Sequence, residues 1–297
     1  MMKKVLFKLL MFFTKSFSGK GYERIPVIIS IYKLIIKISI PERITLINCR
    51  GNKMYIDVED IGVANHLLNR GVHEPFDTEL FEKLVKENMT VIIIGANIGY
   101  YTLIAAKRVG PNGMVYAFEP DSKNYKLLVR NIEANNYKNV LPVQVAVSDK
   151  KGVLKLYLDK SNFASSSLAE QNIVDKNGFE EIETNSLDNL FEEYRKDLKA
   201  DLIQMDTQGA EGLILGGAKK IIGNNRLKII MEFWPYGLNN MGTDALYLLK
   251  RLKNYGFKIG LVDETNKCIS YLLSEKIVEM CKNSKNGMGH VNLLLEK

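Results

Sequence analysis

The chain has 297 residues, 46% apolar and 25% charged, the balance of an ordinary globular protein and not of a disordered or collagenous one. Its three cysteines, Cys49, Cys268 and Cys281, lie far apart with no C-x-x-C, which excludes a disulfide framework and a cysteine zinc site and fits a reducing cytoplasm. The net charge of +7 is carried by the first fifty residues, which hold ten Lys and Arg against two acids; the rest is near neutral, so nucleic acid is not an expected partner.

Residues 1–43 read as a basic amphipathic helical arm. Lys4, Lys8 and Lys15 fall on one helical face of residues 2–17, and Ser30, Lys33 and Lys37 share a face between Pro26 and Pro41. Lysines interrupt both runs, so neither is a transmembrane span, and no small-residue cleavage site marks a secretory signal. Two readings stay open. The arm makes a peripheral membrane contact through residues 1–41, or it packs on the main domain or a second subunit.

Residues 44–88 read as a β-hairpin and helical extension. Residues 44–49 and 53–58 alternate apolar and polar around Arg50-Gly51-Asn52, a hairpin pattern. Helical periodicity then runs over 60–88, with Leu80, Phe81, Leu84 and Val85 as the buried stripe and His73-Glu74-Pro75-Phe76 as a loop just before it.

Residues 89–297 form the third part. Four β-branched residues, 91–94, predict a strand buried on both faces; Gly95-Ala96-Asn97-Ile98-Gly99 turns the chain, and a helix resumes from Thr102. Such a turn places free backbone N–H groups at a helix N-terminus, where α/β proteins hold nucleotide-like ligands; the plain alternative is a tight turn with no ligand. A dinucleotide requires G-x-G-x-x-G, but Asn97 and Tyr100 occupy the second and third glycine positions. NAD and FAD are therefore disfavoured. G-A-N-x-G suits a ligand without phosphates, and S-adenosylmethionine is the obvious one.

A βα alternation follows. Strands are predicted over 114–118, 140–147, 201–205, 227–231, 258–262 and 290–295, with helices over 125–135, 211–222 and 243–255. Residues 151–186 read as an inserted β-hairpin with a long polar loop bordering the substrate pocket. The sum is a Rossmann-like, doubly wound, mostly parallel sheet with a reversed edge strand at the C-terminus.

Ligands of such sheets sit at the carboxyl ends of the strands, and four ends carry acids: Glu119, Asp149, Asp206 and Glu232. Glu119 is placed to accept both ribose hydroxyls of a nucleoside, its plain alternative being a helix-start acid. Ser148-Asp149 suits an adenine edge or is simply a turn pair. Asp206 lies beside the expected reaction centre.

GANIGYYT, FEPD with Asn124, AVSD, and DTQGAE with Glu232 resemble the FkbM-type family of S-adenosylmethionine-dependent methyltransferases, over about residues 55–235. The resemblance implies a class I methyltransferase fold of seven strands and O-methylation of a hydroxyl on a sugar, glycan or related small molecule. By position it places Gly95, Ala96, Asn97 and Gly99 under the methionine part of the cofactor and Glu119 at the ribose. Ser148 and Asp149 then border the adenine, and Asp206 and Glu211 lie near the transferred methyl. The family's acid two residues before the first glycine is replaced by Ile93. Glu74, in a loop resembling the family's upstream E-P element, is the candidate replacement, or else an ordinary surface acid.

Methyl transfer to oxygen needs alignment and a base. Asp206 is the first candidate, with Glu211, Glu232 and His73 behind it. No metal is expected, since D-T-Q-G-A-E gives only a sparse ligand set. Trp234 and Tyr236 either stack on a sugar or pack as a lid. The alternatives to a methyltransferase are a nucleotide-binding oxidoreductase on the same sheet and a methyltransferase-like scaffold without turnover.

Overall fold

A computed structural model describes residues 43–194, 199–223, 226–284 and 287–297. The two basic helices expected within residues 1–43 lie outside the described residues. The chain divides into two compact units, and the smaller contains residues up to His73 together with Ser161–Ala164.

In the smaller unit, β1 (Ile44–Cys49) and β2 (Asn52–Asp57) pair antiparallel as the alternation predicts. Arg50 and Gly51 both take positive φ, the geometry that matches a tight hairpin to the twist of its strands. The helix α1 (Val63–Arg70) buries Val63, Ala64, Leu67 and Leu68 and stops at left-handed Gly71. This glycine divides the helical stretch expected over 60–88. Asp60 accepts from the amides of Gly62, Ala64 and Phe163, which ties residues 161–164 to this unit.

The larger unit begins at Glu74, so the helix α2 (Pro75–Leu84), grouped with the hairpin in the sequence reading, belongs to it. There follow β3 (Thr90–Ile94), α3 (Tyr100–Val109), β4 (Met114–Phe118), α4 (Ser122–Ala134) and β5 (Val140–Val143). Val91 to Ile94 are all buried, as a strand covered on both faces requires. Next come β6 (Ala146–Ser148), β7 (Gly152–Asp159), β8 (Lys176–Ser186), α5 (Leu187–Tyr194) and β9 (Leu202–Met205). The chain continues through α6 (Glu211–Gly216), α7 (Lys219–Ile222), β10 (Lys228–Phe233), α8 (Pro235–Asn240) and α9 (Ala245–Asn254). It closes with β11 (Lys258–Asp263), β12 (Cys268–Ser270), α10 (Ser274–Lys282) and β13 (Val291–Glu296).

The main sheet has the order β12-β11-β13-β10-β9-β3-β4-β5. Strands β10, β9, β3, β4 and β5 run parallel to their neighbours, and β13 runs against both β10 and β11. The doubly wound order is the one expected, with two corrections. The sheet has eight strands, and the reversed last strand is interior while short β12 holds the edge. Leu293, Leu294 and Leu295 are each at most 2% exposed, and a strand apolar on both faces gains ladder partners on both sides only inside the sheet. Between 263 and 290, where the sequence reading placed no element, β12 and α10 form.

Two predicted elements are broken. The strand expected over 140–147 divides at Gln144: β5 stays in the main sheet, whereas β6 joins a second sheet of order β6-β8-β7. The inserted hairpin is present as β7 paired antiparallel with β8. The helix expected over 211–222 breaks at Gly216-Gly217, where a Cβ on Gly217 would collide with the carbonyl oxygen of Ser148.

Candidate active site

The turn after β3 is a rigid bracket. Gly95 has φ +76°, and a Cβ there would strike the carbonyl oxygen of Asp206, so the two strand ends touch backbone to backbone. The amides of Gly95 and Ala96 both donate to the carbonyl of Phe118, at 3.0 and 2.9 Å, and that of Gly99 donates to Ala96. The amide of Asn97 donates to Glu119 Oε2 at 2.7 Å, and Ile98 donates to the Asn97 side chain. The amides of residues 95–99 are therefore already engaged. What the turn supplies is shape and a fixed Glu119.

Glu119 is 5% exposed and receives the amide of Asp121 on Oε1 at 2.9 Å. Burial, then the nearby Asp121 carboxylate, pushes its carboxyl up to about 8. When ionised, each oxygen keeps a second lone pair, the arrangement a cis-diol satisfies.

A cluster of acids occupies the ends of β9 and β10. After β9 the chain turns through Asp206, Thr207, left-handed Gln208 (φ +54°) and Gly209 (φ +103°). Gln208 Nε2 donates to Asp206 Oδ1 at 2.8 Å and to Glu232 Oε2 at 3.2 Å. Burial, with Asp206 next, drives the Glu232 carboxyl well above its ordinary range, and His290 Nε2 lies 3.9 Å from its other oxygen. Glu211 is fully buried at the start of α6 and accepts from the Thr207 amide and hydroxyl at 2.9 and 2.8 Å. Burial raises it to about 7, and its Oε2 is buried with no hydrogen-bond partner. Glu211 thus ties the turn that carries Asp206.

Glu74 joins this cluster. It precedes α2 in a left-handed conformation (φ +43°), which side chains other than glycine and asparagine rarely adopt, and accepts from the Tyr101 hydroxyl at 3.2 Å. Burial and then the Asp206 carboxylate raise it to about 7, while the Asn292 side chain hydrogen-bonds to it and opposes the shift. Asp77, in the first turn of α2, is raised to about 7 by burial and then by Glu74. Ile93, by contrast, is buried inside β3. Asn292, Asp77 and His290 were missed in the sequence because none belongs to a strand-end motif, and Tyr101, though inside GANIGYYT, was given no role there; Asn292 lies opposite Glu232 only through the antiparallel register of β13.

Two predicted site elements fall elsewhere. Ser148 and Asp149 close β6 in the second sheet, not a strand of the main one. Ser148 Oγ donates to Asp149 Oδ1, and its carbonyl abuts Gly217 at the end of α6 opposite Glu211. The carboxyl end of β5 is instead followed by exposed Gln144. His73 belongs to the smaller unit, where its Nδ1 lies 2.8 Å from that of His66. Trp234 donates from Nε1 to the Met288 carbonyl at 3.1 Å and lies against Gly237, a packing role. Among the described residues no group of three or more His, Cys, Asp or Glu is arranged to hold a metal ion.

The family model described as the methyltransferase FkbM domain matches residues 94–259. Methyltransferase sdnD of Sordaria araneosa is 28% identical over 179 residues, 51% of this chain and 69% of that protein. Among solved structures, the methyltransferase FkbM from Methylobacillus flagellatus has 14% identity and a TM-score of 0.41, covering 78% of this chain and 52% of that one. The structure of M. jannaschii TYW2 in complex with AdoMet has 16% identity and a TM-score of 0.44, covering 86% and 84%.

Proposed function

This chain belongs to the FkbM methyltransferase family, a family of S-adenosylmethionine-dependent enzymes, and from that premise we propose that it methylates a hydroxyl oxygen of a sugar, glycan or related small molecule. One observation carries the reading of the site. Glu74, Asp206 and Glu232 crowd together at the strand ends, and the charges that bear most on Glu74 and Glu232 are other carboxylates. A site so short of positive charge suits a cation, and the cofactor brings a sulfonium and an ammonium. Glu119 suits the ribose diol, and Gly95 keeps the floor of the turn free of a side chain.

When bound, the cofactor supplies an activated methyl group. The protein's part is alignment and proton handling. Glu74 and its neighbour Asp77 would hold the ammonium, which would make Glu74 the replacement for the acid missing at Ile93. Gln208 fixes Asp206 and Glu232 by one N–H each. Glu232, driven up by burial first and then by the carboxylates around it, holds a proton, so Asp206 is the carboxylate that receives the acceptor's hydroxyl proton. Glu211 supports that turn from behind.

Calorimetry with S-adenosylmethionine and with NAD tests the cofactor: binding of the first alone is expected, and binding of NAD alone would return the oxidoreductase reading. Methyl transfer is then assayed on a panel of hydroxylated sugars and glycans. Transfer RNA and ribosomal RNA belong in the same panel; methylation of RNA but of no small molecule would overturn the acceptor class. Cofactor binding with no turnover on any acceptor would leave the scaffold. We place the protein in the cytoplasm, with residues 1–41 either packing on the protein or a second subunit or touching a membrane surface; equal recovery of the full chain and a Δ1–41 form in the soluble fraction of a vesicle flotation assay would remove the membrane contact.

A further inference from the structure

The inserted segment between β7 and β8 reaches the acid pair through the backbone of one residue. Ser167 and Asn172 of this segment are buried, at 1% and 7% exposure. Ser167 Oγ and Asn172 Nδ2 both donate to the carbonyl oxygen of Gln208, each at 2.8 Å. Asn172 Nδ2 also donates to Ser167 Oγ at 3.0 Å, and its Oδ1 accepts from Asn240 Nδ2 of α8 at 2.7 Å, so both ends of the Asn172 amide have their roles fixed. On the far side of this grip the Gln208 amide spends one N–H on Asp206 and the other on Glu232. Gln208 does all this in a left-handed backbone conformation that glutamine does not hold unaided. The following Gly209 lies against the Gly237 carbonyl, where a Cβ would come within 2.6 Å, so the turn is wedged against α8 as well.

We propose that Asn172 and Ser167 are positioning residues for the Asp206–Glu232 pair: by gripping the Gln208 carbonyl they aim its amide at both acids, so that the insertion sets how readily the pair holds a proton. This rests on the reading that the pair faces the cationic cofactor. The consequence has a sign. An amide N–H stabilises an ionised carboxylate, so losing the aim lets Glu232, which Asp206, Glu211, Glu74 and His290 also face, keep its proton to higher pH. Protonated, Glu232 attracts a sulfonium less, whereas the demethylated thioether, S-adenosylhomocysteine, lacks that charge and is indifferent to it.

The readout is the preference for S-adenosylmethionine over S-adenosylhomocysteine, from calorimetric dissociation constants of the full chain between pH 5.5 and 8.5. The preference rises with pH in the parent protein. Gln208→Ala, Asn172→Ala and Ser167→Ala move that rise to higher pH, by about half a unit or more, and lower the preference at pH 7 about two- to fivefold. The Asn172→Ala/Gln208→Ala double variant is no worse than Gln208→Ala alone, because Asn172 acts on the acids only through the Gln208 amide that the second change removes. Ser167→Ala leaves the Asn172 contact in place and guards against a variant that fails to fold, which thermal melting checks. Parent-like pH dependence in Asn172→Ala and Ser167→Ala, or effects that add in the double variant, would overturn the inference while leaving the cofactor reading intact. A parent protein that binds neither ligand at any pH would instead sink the cofactor reading, and this inference with it.

Discussion

Gly95 and Asp206 meet backbone to backbone: the carbonyl oxygen of Asp206 occupies the space where a side chain on Gly95 would begin. The first turn of the parallel sheet and the residue proposed as base are thereby held as one piece. Gly95→Ala inserts a methyl into that contact and imposes a side chain at φ +76°. The backbone conformation alone costs about 1 kcal/mol, and the collision adds about 1–3 kcal/mol through a forced shift of the β9 end. We expect lower stability in chemical denaturation and a cofactor affinity at least about tenfold weaker in the fraction that folds. Gly242→Ala, at the same φ of +76° but with nothing within 4 Å, is the control that carries the cost of a positive φ without the collision.

The acids of the site make the cofactor-free protein sensitive to pH in an unusual direction. Glu74, Asp77 and Glu211 are raised to about 7 and Glu119 to about 8, all chiefly by burial. A carboxyl raised on folding contributes stability that is complete below its unfolded value near 4.5 and is lost as pH climbs through the folded value. Stability therefore falls between about pH 4.5 and 8. Thermal midpoints of the cofactor-free chain should be higher at pH 5.5 than at pH 8. Glu119→Gln should flatten that slope, and saturating S-adenosylmethionine should reverse it, since a cation favours the ionised acids. A midpoint that rises steadily from pH 5.5 to 8 without cofactor would contradict the proposed electrostatics.

Glu74→Gln separates the amino-acid end of the cofactor from its nucleoside. The amide can still accept from Tyr101, so the fold of the loop is kept while the charge is removed. Affinity for S-adenosylmethionine should fall about tenfold, the loss of one charge-assisted contact. Affinity for adenosine, which has no methionine part, should stay within about twofold of the parent value. Equal losses for both ligands would place Glu74 outside the ammonium site.

Much of this arrangement was legible in the sequence because strand ends and buried strands leave local marks. The residues of β4 were predicted with the boundaries observed, and Glu119 closes that strand as expected. Glu74 was readable as a candidate acid through its resemblance to the family's upstream E-P element, but not its contact with Asn292, 218 residues further on. What local pattern does not carry is which sheet a short apolar run joins. Ala146, Val147 and Ser148 are buried like a continuation of β5 yet pair with Thr184, Asn185 and Ser186. Pro142 in β5 was a partial sign, since proline is tolerated in a sheet edge, and β5 holds that edge. The run Leu293–Leu294–Leu295 likewise fits an interior strand, but the loop before it suggested an edge. The grip of Asn172 on Gln208 has no sequence signature, because it depends on a hairpin and a turn brought together only by the tertiary fold.

Asp206→Asn tests the proton acceptor itself. The amide oxygen can still accept from Gln208 Nε2, so the turn and the Glu232 contact persist, but the side chain can no longer take a proton from a hydroxyl. Turnover on the best acceptor of the hydroxyl panel should fall about 100-fold, in line with removal of a general base. Binding of S-adenosylhomocysteine, which lacks the sulfonium, should change less than about threefold. Glu232→Gln should behave differently: a group that already holds its proton loses little when made permanently neutral, so turnover should drop by less than about tenfold and its dependence on pH should weaken. If Glu232→Gln proved the more damaging of the two, with both variants folded and binding S-adenosylhomocysteine, the roles of the two acids would be exchanged.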